Sequence, residues 1–70
     1  MKTYLEINEV LTMEELRTKQ PLQVRVETAD RDDALTKLPS LELFFTGRTY
    51  VKKIHYCNHE TGGPCTEEIL

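Results

Sequence analysis

Residues 22–38 read LQVRVETADRDDALTKL, and the class of the fold turns on this stretch. Leu22, Val24 and Val26 alternate with Gln23, Arg25 and Glu27, the period of a strand with one buried face. After Thr28 the period changes. Asp30 is a residue of N-cap type, Asp32 and Asp33 fall in the first turn, and Ala34, Leu35 and Leu38 share one helical stripe. Pro39 is expected to end this helix near Leu38, because proline pushes its predecessor out of the α region. A half-buried strand that feeds a short helix marks a mixed chain.

Working outward, Thr3 to Val10 mixes apolar Tyr4, Leu5, Ile7 and Val10 with polar Glu6, Asn8 and Glu9, and reads as a strand. Thr12-Met13-Glu14-Glu15 has the pattern of a capping box, with Leu11 and Leu16 at the staple positions. It predicts a helix over 13–19, stopped by Pro21 and stable only if docked. Beyond Pro39, Leu41 to Phe45 reads as a strand turning at Thr46-Gly47. Thr49 to Cys57 is rich in β-formers. Asn58 to Pro64 is a turn built on Gly62-Gly63, and Cys65 to Leu70 is a returning strand. The order β-α-β-α-β-β-β predicts a small α+β domain spanning 1–70. It has a mainly antiparallel sheet with two short helices on one face.

At 70 residues and net charge −3, the chain has room for one thin core, since a domain this small buries only about 60% of its unfolded surface. An enzyme is not expected. No window approaches the about 20 apolar residues of a membrane span, and residues 1–6 lack the apolar core of a signal peptide. The expectation is a soluble cytoplasmic protein without membrane contact. Charge is uneven: residues 1–35 carry five Lys/Arg against eight Asp/Glu, and residues 36–70 carry four of each. The overall sign argues against direct nucleic-acid binding. Phe44 and Phe45 beside Arg48 and Tyr50 read as core plus edge rather than a base-stacking platform.

Between Leu43 and His59 stand three cations, Arg48, Lys52 and Lys53, and no acid. With Tyr50 as an aromatic anchor they are one candidate surface for a larger protein or protein complex; the acids Glu14 and Glu15 of the first helix are the other. The expected function is therefore a small non-enzymatic binding protein, an inhibitor or regulator of a larger host complex. Small inhibitors of phage or mobile-element type share this general profile.

Both histidines and both cysteines lie in His55-Tyr56-Cys57-Asn58-His59-Glu60-Thr61-Gly62-Gly63-Pro64-Cys65. On a strand His55, Cys57 and His59 point to one face, with Ile54, Tyr56 and Tyr50 on the other. The glycine turn can bring Cys65 back beside them. Two thiolates and two imidazoles suit a closed structural zinc site, the alternative reading of this chain. The spacing is unlike that of zinc fingers or ribbons, and neighbours at i and i+2 on a flat strand stand about 6.5–7 Å apart. A Cys57–Cys65 disulfide and inert thiols are the other two readings of the same residues. A thiol enzyme lacks an oxyanion hole, and Asp30, Asp32 and Asp33 fit a helix start better than a calcium loop.

Overall fold

The computed structural model describes residues 2–58 and 62–70. Four strands, β1 (Lys2–Glu9), β2 (Gln23–Thr28), β3 (Tyr50–Cys57) and β4 (Thr66–Ile69), form one antiparallel sheet in the order β2-β1-β3-β4. One α-helix, α1 (Arg31–Glu42), packs on one face of it and runs into a 3-10 turn at Leu43–Phe45. The architecture is α+β.

The central strand shows why the layers meet as they do. Leu5 stands between Val26 and Ile54, and Ile7 between Val24 and Lys52. Leu5, Ile7 and Ile54 are fully buried beneath Ala34, Leu38 and Phe45. Burial alternates along β1 so that Thr3, Leu5, Ile7 and Glu9 face inward. Tyr4, an apolar member of the strand pattern, is on the opposite face; Val10 is exposed, and the polar Thr3 and Glu9 take the buried positions. Thr3 is accommodated beside Thr28, whose hydroxyl donates to the Thr3 carbonyl at 3.3 Å.

Three expectations are corrected. The first of the two expected helices, over 13–19, does not form. The capping box closes as read, with Thr12 N–H donating to Glu15 Oε1 and Glu15 N–H to Thr12 Oγ1, both at 3.1 Å. The chain then makes only a 3-10 turn, at Glu15–Arg17, that buries no residue. A helix this short propagates only when an apolar face is docked, and this one has nothing to dock on. Secondly, Pro39 does not end α1 but lies inside it. Its missing N–H removes the bond to the Leu35 carbonyl, yet the stripe Ala34, Leu38, Leu41, Phe45 continues in helical phase through it and packs on the sheet, with Leu41 partly buried and the other three buried. Thirdly, residues 41–45 are accordingly helical, not a strand.

Polar contacts fix α1 at both ends. Asp30 caps it by accepting from Asp33 N–H at 2.8 Å. Arg31 forms a two-point contact with Glu68 of β4, at 2.8 and 3.2 Å. Glu42 accepts from Tyr50 OH at 2.6 Å and lies 3.3 Å from Lys52 Nζ. No helix is long and apolar enough to cross a membrane among the described residues.

Candidate functional site

The alternation of β3 puts Lys53, His55 and Cys57 on the open face of the sheet, and Tyr50, Lys52, Ile54 and Tyr56 on the face that carries α1. Tyr56 pairs with Thr66, so the same register sets Cys57 opposite Cys65. The two sulfurs are 3.7 Å apart and are not joined in a disulfide. Donor atoms of His55, Cys57 and Cys65 all lie within 4.8 Å of one another, and the three residues are half-buried. The backbone spacing that weighs against convergence is closed by side-chain reach along the strand and by Cys65 arriving from across the hairpin. His59, the fourth expected ligand, lies outside the described residues.

His55 also belongs to a second group, with Glu6 and Glu67. Its Nδ1 is 3.5 Å from Glu67 Oε2, and Lys53 Nζ holds that carboxylate at 2.8 Å. The Lys53 contact, chiefly its hydrogen bond, lowers the Glu67 pKa and raises that of Lys53. On the same face Arg25 sits over the Tyr4 ring at 4.2 Å.

The basic strand is not one surface. Arg48 reaches Glu9 with both contacts near 3 Å, at 2.9 and 3.0 Å. Tyr50 and Lys52 share Glu42 of α1, and Lys53 turns to Glu67 on the far side of the sheet. Each of the three cations is thus matched by an acid from a different element. The Glu42 pKa falls mainly because Tyr50 donates to it, and the Tyr50 phenol rises for the same reason.

Arg48 shares with Glu15 the end of the sheet where β1 finishes and β3 begins. A cleft of about 430 Å³ lies there, lined by Glu9, Val10, Glu15, Lys19, Arg48 and neighbouring loop residues. Glu14 is exposed beside it in sequence. Glu9 lines it and is itself buried: it accepts from Leu22 N–H at 3.0 Å, and this bond, followed by Arg48, lowers its pKa.

The same end carries residues that the sequence reading missed. Val10, Met13 (85% exposed) and Leu16 lie in the β1–β2 connection, and Leu43 (74%) and Phe44 (67%) in the turn after α1. They are five of the seven large exposed apolar side chains among the described residues. Reading 13–19 as a helix and 41–45 as a strand put Met13, Leu16, Leu43 and Phe44 in regular elements rather than in exposed turns. Had the helical phase of Leu38 and Leu41 been carried on to Phe45, Leu43 and Phe44 would have fallen on the outer side. No protein-family model, curated protein or solved structure matches the chain.

Proposed function

We propose that this protein is a small non-enzymatic binding protein that seats the loop end of its sheet on a larger protein and so inhibits or regulates it. The observation that carries this reading is the exposure of Val10, Met13, Leu16, Leu43 and Phe44 in the two connections at one end of the sheet, where Val10 also lines a polar cleft. Isolated exposed apolar residues are ordinary on any surface; a group of them rimmed by charge has the anatomy of an interface. Met13 and Phe44 are the anchors, and Glu14, Lys19 and Arg48 the rim. An enzymatic use of the cleft is disfavoured by its chemistry. A general base works best with a pKa near the working pH, whereas Glu9 is pulled down and already engaged by Leu22 N–H and Arg48.

The test is quantitative capture of the partner from host extract, followed by titration of the purified pair. Replacing Leu43 and Phe44 together by Ser is expected to weaken binding at least about 30-fold, the scale of losing an interface hot spot. The thermal midpoint should barely move, because exposed side chains contribute within about 0.5 kcal/mol. Arg25→Glu, on the open face, should bind as the parent does. Equal affinity for the parent and the double variant refutes the loop-end surface.

A further inference from the structure

We propose that His55, Cys57 and Cys65 form a binding site for a soft divalent cation of the zinc class at the opposite end of the sheet from the loop-borne surface. Three features of the geometry agree. The first is the sulfur separation. Two thiolates bound about 2.3 Å from one tetrahedral zinc stand about 3.8 Å apart; Cys57 and Cys65 Sγ are 3.7 Å apart. The second is convergence: an imidazole nitrogen joins the two sulfurs within 4.8 Å.

The third is orientation of the histidine. Glu67 Oε2 stands 3.5 Å from Nδ1. In metal sites a carboxylate beside a ligating histidine orients the ring and raises its basicity as a ligand. Lys53 steadies that carboxylate from its other side. Glu67 is therefore a positioning residue, and the three ligands are His55, Cys57 and Cys65. Two thiolates and one imidazole select zinc-type ions over magnesium or calcium. On binding, each thiol gives its proton to solvent, so that two thiolates balance the charge of one divalent ion.

The site has a structural consequence. It ties the end of β3 to the residue before β4, across the connection 58–65. Only six apolar side chains are buried in the described core, and small domains with thin cores gain from such a clamp.

Cobalt(II) is the probe, titrated into the reduced full chain and then displaced by zinc. The expected result is saturation at one equivalent, with thiolate-to-cobalt charge-transfer absorption of two-thiolate intensity and a raised thermal midpoint. Cys57→Ser and Cys65→Ser should each halve the absorption per bound ion, and Glu67→Gln should weaken affinity about 10–100-fold while leaving the spectrum unchanged. Circular dichroism checks that the variants fold, and the parent titration stands without them. Absence of a charge-transfer band in the parent overturns the site. So does cobalt binding that survives both serine variants, or that is lost to Glu6→Gln and competed by calcium, which assigns the ion to the carboxylates instead. Chain isolated as a disulfide that takes up no cobalt after reduction overturns it as well. Partner capture by the loop end is measured separately, so either proposal can fail alone.

Discussion

Residues 12–19 and 30–45 begin alike and end differently. At Thr12, hydroxyl and carboxylate exchange hydrogen bonds with the backbone of the pair Thr12/Glu15. At Asp30, the side chain accepts from Asp33 N–H while Asp33 accepts from Ala29 N–H at 2.9 Å. Each segment carries an i,i+4 Lys–acid pair, Lys19–Glu15 and Lys37–Asp33. The first has no internal proline and yields a 3-10 turn at Glu15–Arg17; the second contains Pro39 and yields a 12-residue helix. Local signals favour the first segment, and burial decides for the second. Ala34, Leu38 and Phe45 are buried against Leu5, Ile7 and Ile54, whereas Met13 and Leu16 stay in solvent.

If burial is the deciding term, removing it from the second segment should have the largest effect. Phe45→Ala empties the largest fully buried side chain and is expected to cost about 3–5 kcal/mol. For a domain of this size each kcal/mol moves the thermal midpoint by about 4–8 °C, so the variant should be largely unfolded at 37 °C by circular dichroism. A loss below 1 kcal/mol would mean that capping and ion pairs, not burial, hold the helix. Pro39→Ala works in the other direction. It restores the bond to the Leu35 carbonyl in a helix that already tolerates proline, and should stabilise by about 1–3 kcal/mol. A neutral or destabilising result in urea unfolding would show instead that proline is needed to seat Leu41 and Phe45.

The same contrast explains how much was legible. β1 and β2 are read from alternation, because a pleated chain shows its buried face in every second residue, as with Val24 and Val26 in β2; β3 is read from its β-formers and β4 from the glycine turn before it. The same rule and a glycine turn place His55 and Cys57 on one face, with Cys65 returning to meet them. Glu9 was not legible. Its phase matches that of Leu5 and Ile7, but its acidity argues for solvent, and its burial is made tolerable by Arg48, 39 residues away. For the same reason a run of cations in and just before β3 was misleading as a single surface. Glu9, Glu42 and Glu67, which answer Arg48, Lys52 and Lys53, come from other elements of the fold. A one-dimensional reading sees phase, not partners.

Acid separates the two segments by their coupling to the sheet. Glu42 and Glu68, which pin α1, have folded pKa values below the ordinary 4.5, through Tyr50 for Glu42 and Arg31 for Glu68. Glu15, held by Thr12 N–H, is lowered too. A depressed carboxylate releases its proton more readily in the folded chain than in the unfolded one. Its stabilisation is therefore complete above about pH 4.5 and is lost as the pH falls through the folded value. Melting curves between pH 7 and pH 3 should show Glu42→Gln lower than the parent at pH 7 and converging on it in acid. Glu15→Gln should run close to the parent throughout, since its turn unfolds at little cost to the core. Parallel curves for Glu42→Gln would break the link between this carboxylate and docking of α1.

The smallest effect belongs to the capping box itself. Removing an N-cap hydroxyl from a docked helix typically costs about 1 kcal/mol. Thr12 caps a turn that buries nothing, so Thr12→Ala should cost the fold less than about 0.5 kcal/mol. Local amide exchange at Glu15 and Leu16 should nevertheless quicken clearly, because opening the turn requires no global unfolding. A global loss as large as that of a docked helix cap would mean that the turn bears on the core through Leu11 and the Glu9–Leu22 contact. In that case the loop end would be a rigid platform for a partner, not a surface that orders on contact.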